Sequence, residues 1–138
     1  MTEIFADNEM KKEILDNAKV IAIVGLSESP MRPSHRIGKY LMNQGYQIVP
    51  VNPEISEFMG EKAYPDLKSI PYKVDLVNVF RRSEEVYDVI KEAQELGIPA
   101  VWLQLGINCP EEGIDLAKEN DMKLVSHCCI MVEHKSLM

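Results

Sequence analysis

The chain has 138 residues, 46% of them hydrophobic and 27% charged, which suits one domain with a buried core and excludes a disordered chain. Its formal net charge of −7 and the absence of a block of Lys or Arg argue against nucleic-acid binding, and the charge also disfavours binding to anionic membranes. No apolar run reaches the roughly 20 residues that span a bilayer, and Met1–Ile4 lacks the basic start of a signal peptide.

The predicted elements alternate short apolar strands with amphipathic helices. Asp7 is expected to cap an N-terminal helix over residues 7–18. Val20–Val24 is apolar at every position, which is typical of a strand covered by helices on both faces. One helix is predicted over Ile37–Gln44. Another is predicted to begin at Ser83, whose side chain can cap it. The further strands are predicted at 46–51, 74–80, 100–103 and 123–125.

The remaining segments complete a recognisable order. Residues 54–71 are rich in turn-forming residues, with one short strand expected near Lys62–Tyr64. Another helix begins around Asn108–Pro110, and the tail to Met138 carries no prediction. The order predicts an α/β fold, a doubly wound (Rossmann-type) parallel sheet of about five strands in a single domain.

The loop after the first strand has the features of a phosphate site. In such sheets, ligands bind outside the carboxyl ends of the strands. Gly25 lets the backbone approach a ligand, and Ser27 offers a hydroxyl. The next helix presents free N–H groups to an anion, and Arg32, His35 and Arg36 place positive charge beside its start.

The same loop argues against ordinary NAD binding. The dinucleotide fingerprint G-x-G-x-x-G needs two further glycines, which are missing from Gly25–Pro30. Asn52 stands at the end of the second strand, where an acid would bind a free ribose hydroxyl. A phosphorylated ribose, as in coenzyme A or NADP, would be repelled by such an acid. The residues leave these two ligands open.

The later strand ends add polar and reactive groups to the same edge. Phe80 and Arg81 can stack on an adenine or meet a phosphate, and Gln104 offers a polar tip. Cys128 and Cys129 are expected near the crevice, as buried structural cysteines or as a nucleophile. Their spacing is not that of a metal site, so no metal is predicted. The odd cysteine count favours a reducing, cytoplasmic location.

Several of these segments together resemble the stand-alone CoA-binding domain family, which is related to the N-terminal domain of the succinyl-CoA synthetase α subunit. The resemblance covers the chain from about Val20 to Glu133. The matching segments are Val24–Ser27, Arg32–Ser34, Gly45–Pro53, Val77–Arg81, Ala100–Gly106 and Cys129–Glu133.

The resemblance implies one CoA-binding Rossmann-type domain over residues 1–138, with a core of about 20–133. It implies a pocket for coenzyme A or an acyl-CoA formed by Gly25, Leu26, Ser27, Arg32, Pro33, Ser34, Val51, Asn52, Pro53, Phe80, Arg81, Gln104, Leu105 and Gly106. The expected role is ligand binding without catalysis, as a sensor or accessory module. The alternatives are NADP-type binding and a thiol-dependent enzyme that uses Cys128 or Cys129. A homo-oligomer or a protein partner stays open beside the small-molecule ligand.

Overall fold

A computed structural model describes residues 6–138, so the Met1–Ile4 segment compared above with a signal peptide lies outside the described residues. The strands, in chain order, are β1 (Val20–Val24), β2 (Gln47–Val51), β3 (Glu57–Phe58), β4 (Glu61–Lys62), β5 (Leu76–Val79), β6 (Ala100–Leu103) and β7 (Lys123–Val125). The α-helices are α1 (Asn8–Asn17), α2 (Pro33–Asn43), α3 (Val86–Glu95), α4 (Glu111–Glu119) and α5 (Ile130–Leu137). Across residues 6–138, no helix combines the length and the apolar character that a membrane crossing requires.

The five longer strands form one parallel sheet in the order β2-β1-β5-β6-β7. From β1 the chain moves outward to β2 and then returns to the other side of β1, where it adds β5, β6 and β7 in turn. The winding direction therefore reverses between β1 and β5, and this switch point is where such sheets bind ligands. The predicted doubly wound fold is confirmed.

Helices cover both faces of the sheet because the strands are apolar on both faces. Ile21 and Ile23 of β1 pack in a core with residues of α1, α2 and α5, whereas Ala22 and Val24 pack with α3 and α4. All four side chains are buried. Each large aliphatic side chain buried in this way contributes about 1.5–3 kcal/mol of transfer free energy. Two apolar layers thus hold the strand ends in fixed positions.

The described part of the N-terminal helix begins as predicted, at Asp7. Its carboxylate Oδ1 accepts a hydrogen bond of 2.8 Å from the N–H of Met10, which satisfies one of the donors that a helix start leaves open. The predicted irregular stretch contains an antiparallel hairpin of β3 and β4, and Tyr64 adds a bridge to Val51 of β2. The short strand expected near Lys62–Tyr64 is therefore present in part.

The capping role predicted for Ser83 is wrong. Ser83–Glu85 form a 3-10 turn ahead of α3, and the hydroxyl oxygen of Ser83 accepts a hydrogen bond of 2.9 Å from the N–H of Asn108. The side chain thus ties the loop after β5 to the loop after β6 and leaves the start of α3 uncapped by a side chain. A hydroxyl can cap a helix or accept from a distant loop, and the local sequence does not distinguish these uses.

The C-terminal helix α5, for which the sequence offered no prediction, docks through His134. This residue is buried, its Nδ1 lies 2.7 Å from the Tyr40 hydroxyl, and its ring packs edge-on against those of Tyr40 and Tyr46. Burial lowers the pKa of His134 below 6.5, because the protonated ring would lose its hydration.

We expect α5 to lose part of its stabilisation in acid. Because the folded-state pKa of His134 is depressed, the unfolded chain binds the proton more readily, and stability falls as the pH drops through about 6.5 and below. Urea unfolding of the wild type and of His134→Gln at about pH 7.5 and about pH 5 measures the effect. The difference in unfolding free energy between the two proteins should narrow at the lower pH. Parallel pH dependences would show that His134 does not contribute.

Candidate functional site

A cavity of about 790 Å³ opens at the carboxyl edge of the sheet, across the switch point between β1 and β5. The predicted residues that line it are Gly25, Ser27, Arg32, Pro33, Ser34, Asn52, Phe80, Arg81, Gln104 and Leu105. They follow β1, β2, β5 and β6, whose carboxyl ends meet at one edge. Its volume lies in the range of small-molecule and cofactor sites.

Four predicted residues are not part of the lining. The side chains of Leu26 and Val51 are buried in the two cores, so only their backbone could face a ligand. Pro53 and Gly106 lie at exposed turns beyond the cavity wall. Strand-end position identifies a segment, but it does not distinguish the residue that faces the cavity from its neighbours in the core or the solvent.

The lining also includes residues outside the predicted set: Arg36, Ile37, Arg82, Ile107, Cys129 and Met131. Met131 and Cys129 reach the cavity because α5 begins at its rim. Two signals pointed to part of this set, namely the basic character of Arg36 and the expected crevice position of Cys129. The apolar members carry no signal of their own, since an isoleucine or methionine next to a helix is ordinary core composition.

Gly25 lets three strand ends come together. Its φ of +90° is in the left-handed region, and a Cβ added to it would lie 2.2 Å from the carbonyl oxygen of Phe80. The N–H of Gly25 donates to the carbonyl of Val51, and the N–H of Phe80 donates to that of Val24, each at 2.8 Å. Because Gly25 has no side chain, the ends of β1 and β5 lie in close contact, and together they form the floor of the cavity.

Serine side chains shape the loop that follows Gly25. The N–H of Ser27 donates to the hydroxyl oxygen of Ser34 at 3.0 Å, and the N–H of Ser29 donates to the hydroxyl oxygen of Ser27 at 3.1 Å. The backbone N–H of Ser27 is thus already engaged. Because its oxygen accepts from Ser29, the hydroxyl hydrogen of Ser27 is available to donate to a group in the cavity.

Replacing Ser34 by alanine is expected to loosen this loop. The buried Ser34 hydroxyl accepts the N–H of Ser27, and its loss leaves that donor without its partner. We expect a destabilisation of about 1 kcal/mol and faster hydrogen exchange at the Ser27 amide. Ser29→Ala is the matched control, because Ser29 enters this network through its backbone only. Equal exchange at Ser27 in both variants would contradict the assigned role.

Asn52 joins the end of β2 to the loop after β1. Its amide Nδ2 donates to the carbonyl of Leu26 at 3.0 Å, and its Oδ1 accepts from the N–H of Glu54 at 2.9 Å. An aspartate would lose the bond to Leu26, since a carboxylate cannot donate. The amide at this position therefore supports the loop and keeps a negative charge away from the cavity wall.

The lining is electropositive although the chain is acidic. It contains the arginines Arg32, Arg36, Arg81 and Arg82 and no aspartate or glutamate. Arg82 pairs with Glu85 at 3.3 Å, whereas the other three form no ion pair with any residue of the described range 6–138. α2 also begins at the cavity, with Arg32 at its N-cap position. Unpaired guanidinium groups and the positive end of a helix dipole together favour an anionic ligand.

A second polar connection runs from the centre of the sheet to α5. Asn78 of β5 donates from Nδ2 to the Oε1 of Gln104 at 3.2 Å, and the N–H of Ile130 donates to the same oxygen at 2.9 Å. Asn78 is completely buried, and Gln104 is 6% exposed. The end of β6 and the start of α5 are thus fixed relative to each other.

The cysteines differ in their access to the cavity. Cys129 lines it, whereas Cys128 is half-buried beside the core and lies next to Lys11. Cys109 lies outside the lining, and burial raises the pKa of its thiol to about 11. Among residues 6–138 we find no group of three or more His, Cys, Asp or Glu side chains arranged to hold a metal ion.

Comparison with known proteins finds a family model, a sequence relative and a solved structure that each match most of this chain. A family model described as a CoA binding domain matches residues 19–135. The uncharacterized protein YneT of Bacillus subtilis (strain 168) is 45% identical over 123 residues, which cover 89% of this chain and 90% of YneT. A hypothetical protein from Pyrococcus horikoshii OT3 superposes with a TM-score of 0.91 at 33% identity, over 99% of each chain.

The chain also matches part of a longer protein. The α subunit of the ADP-forming acetate–CoA ligase II of Pyrococcus furiosus is 29% identical over 133 residues. The match covers 88% of this chain but only 29% of that subunit. The similarity therefore concerns one region of the ligase.

Proposed function

Because this chain belongs to the CoA-binding domain family, we propose that its strand-end cavity binds coenzyme A or an acyl-CoA and that it does so without catalysis. The observation that carries the proposal is the cavity at the switch point, lined by four arginines and no carboxylate. Coenzyme A carries a diphosphate and a ribose phosphate, and arginine binds phosphate oxygens with paired, charge-assisted hydrogen bonds. Phe80 adds an aromatic face at the same edge.

The chemistry of the lining supports a binding role rather than a catalytic one. The lining contains no histidine, carboxylate, lysine or tyrosine, so Cys129 is the one described side chain in it that could act as a general acid or base. The matched region is less than a third of the ligase subunit, and the ligase reaction is therefore not transferred to this chain. We propose a ligand sensor or an accessory module. All three cysteines are unbridged, which is consistent with the cytoplasmic location we propose.

Isothermal titration with coenzyme A, acetyl-CoA, NADP and NAD tests the proposal. We expect heat with one or both CoA species, at one ligand per chain, and much weaker binding of NAD, whose adenosine ribose carries no phosphate on its 2′ or 3′ hydroxyl. Affinity should fall with added salt, since the arginines contribute charge. Clear heat with NADP and none with either CoA species would instead establish an NADP-type site. The uncharged Asn52 also permits this ligand, because it does not repel a phosphorylated ribose.

A thiol-dependent reaction is the second candidate, and the position of Cys129 in the lining is what favours it. In that case the Cys129 thiolate would attack the thioester carbonyl of a bound acyl-CoA, breaking its C–S bond and releasing the CoA thiolate, or would attack a disulfide of the bound ligand, breaking its S–S bond and releasing the other sulfur as a thiolate. Cys129→Ser would abolish turnover of such a substrate, and Cys128→Ser is the matched control because Cys128 lies outside the lining. Wild-type turnover by Cys129→Ser would eliminate this candidate.

A further inference from the structure

The side-chain amide of Gln104 has its orientation fixed by a single backbone donor. The N–H of Ile130, the first residue of α5, lies 2.9 Å from the atom assigned as Oε1. A backbone N–H can only donate, so the Gln104 atom that faces it must be the oxygen. The amide nitrogen Nε2 therefore occupies the other position.

Asn78 reinforces this orientation from the buried centre of the sheet. Its Nδ2 faces two acceptors, the Oε1 of Gln104 at 3.2 Å and the carbonyl of Trp102 at 3.3 Å. Asn78 must therefore point its nitrogen toward them, which leaves its own Oδ1 buried without a partner among the described residues. Such an orphaned oxygen lowers stability, and an apolar residue would avoid it. The donor to Gln104 is what the asparagine supplies.

The Nε2 group of Gln104 is the one donor of this side chain, and the hydrogen bonds to Asn78 and Ile130 do not use it. Gln104 is 6% exposed and lines the cavity, and no group within residues 6–138 accepts a hydrogen bond from its Nε2. A donor that lacks a protein partner among the described residues, on a largely buried side chain in the cavity wall, matches an acceptor on a ligand. The group is uncharged, so it suits a neutral carbonyl oxygen, whereas the arginines suit the phosphates.

We propose that Gln104 Nε2 donates a hydrogen bond to a carbonyl oxygen of the bound ligand and that Asn78 is a positioning residue that holds Gln104 for this contact. The inference rests on the proposed CoA binding. Coenzyme A carries amide carbonyls along its pantetheine arm, and an acyl-CoA adds a thioester carbonyl. Gln104 directly follows β6, which is two strands from β1, and it therefore lies about 10 Å from the loop of Gly25. A ligand with its phosphates at that loop would extend its arm toward Gln104.

Gln104→Glu separates the two functions of the side chain. A glutamate keeps an acceptor for Asn78 and Ile130 but presents an oxygen where Nε2 stood. The probes are coenzyme A, acetyl-CoA and adenosine 3′,5′-bisphosphate, which keeps the adenine, the 3′-phosphate and the first 5′-phosphate but lacks the second 5′-phosphate and the carbonyl arm. We expect the Kd for both CoA species to rise about tenfold or more, with less than about a twofold change for the bisphosphate. Selective loss for acetyl-CoA alone would identify the thioester carbonyl as the acceptor. Equal weakening of all three probes, or no weakening, overturns the proposal.

A measurement on the wild type does not depend on the folding of any variant. The side-chain NH₂ resonances of Gln104 should shift in ¹⁵N–¹H spectra when coenzyme A is added and stay in place with the bisphosphate. Backbone shifts around the cavity without a shift of these resonances would overturn the carbonyl contact and leave CoA binding intact. No response to any CoA species would contradict the proposed function itself. Asn78→Asp, which removes the Nδ2 donor, should reproduce the selective loss of affinity for coenzyme A over the bisphosphate.

Discussion

Gly25→Ala is expected to destabilise the protein by roughly 3 kcal/mol or more and to abolish ligand binding. The new methyl group would lie 2.2 Å from the Phe80 carbonyl oxygen, at a φ of +90°. Neither strain can be relieved locally, because Gly25 and Phe80 are both held in the sheet by backbone hydrogen bonds to Val51 and Val24. The ends of β1 and β5 would have to separate, and the cavity floor lies between them. Urea unfolding and titration with coenzyme A measure the two effects.

Gly45→Ala is the matched control for this substitution. Gly45 also has a positive φ, of +100°, but a Cβ there would meet no atom within 4 Å. The control should cost about 1–2 kcal/mol from backbone strain alone and should leave affinity for coenzyme A unchanged. The excess loss in Gly25→Ala then measures the close approach of the two strand ends. Equal losses in the two variants would contradict the role of Gly25 as the floor of the cavity.

Arg81→Ala is expected to weaken coenzyme A binding by about 10- to 100-fold without a large loss of stability. Arg81 lines the cavity, is half-buried, and forms no ion pair with any residue of the described chain. Its charge is therefore available to a phosphate, and a charge-assisted hydrogen bond contributes about 1.5–3 kcal/mol. Titration at two salt concentrations checks the assignment, because the variant should also show a weaker dependence on salt.

Arg82→Ala is the matched control for Arg81→Ala. Its side chain is 78% exposed and already paired with Glu85 at 3.3 Å, so it should contribute much less to ligand affinity. We expect less than about a threefold change in Kd for coenzyme A. A larger effect from Arg82 than from Arg81 would mean that the ligand phosphates lie toward the solvent side of the β5 end.

Much of the fold followed from local patterns. Val20–Val24 has no polar position, which predicts a strand buried on both faces. The structure places this strand inside the sheet, between β2 and β5. Because parallel strands end at one edge, Gly25, Phe80 and Gln104 could be expected to lie near one another, and all three line one cavity. The end of a strand can be recognised from local sequence, and the parallel sheet then brings strand ends from distant parts of the chain to one edge.

The rest depended on tertiary contacts that leave no local pattern. The start of α5 carries no side-chain cap, and the helix is held through its buried His134 and the bond from Ile130 to Gln104. Without that helix, Met131 could not be placed in the lining. Ser83 has the composition of a cap, yet its hydroxyl is used by a loop that lies 25 residues further along the chain. The direction of the Gln104 amide likewise follows from contacts with distant segments.

Chemical-shift mapping during titration with coenzyme A tests the central proposal most directly. We predict that the largest backbone amide shifts fall on Gly25, Ser27, Arg81 and Gln104, around the carboxyl edge of the sheet. A second cavity, of about 530 Å³, lies near the opposite edge and is lined by residues that include Lys19, Tyr46 and His134. Shifts concentrated there, or no shifts at saturating coenzyme A, would contradict the assignment of the ligand to the switch point between β1 and β5.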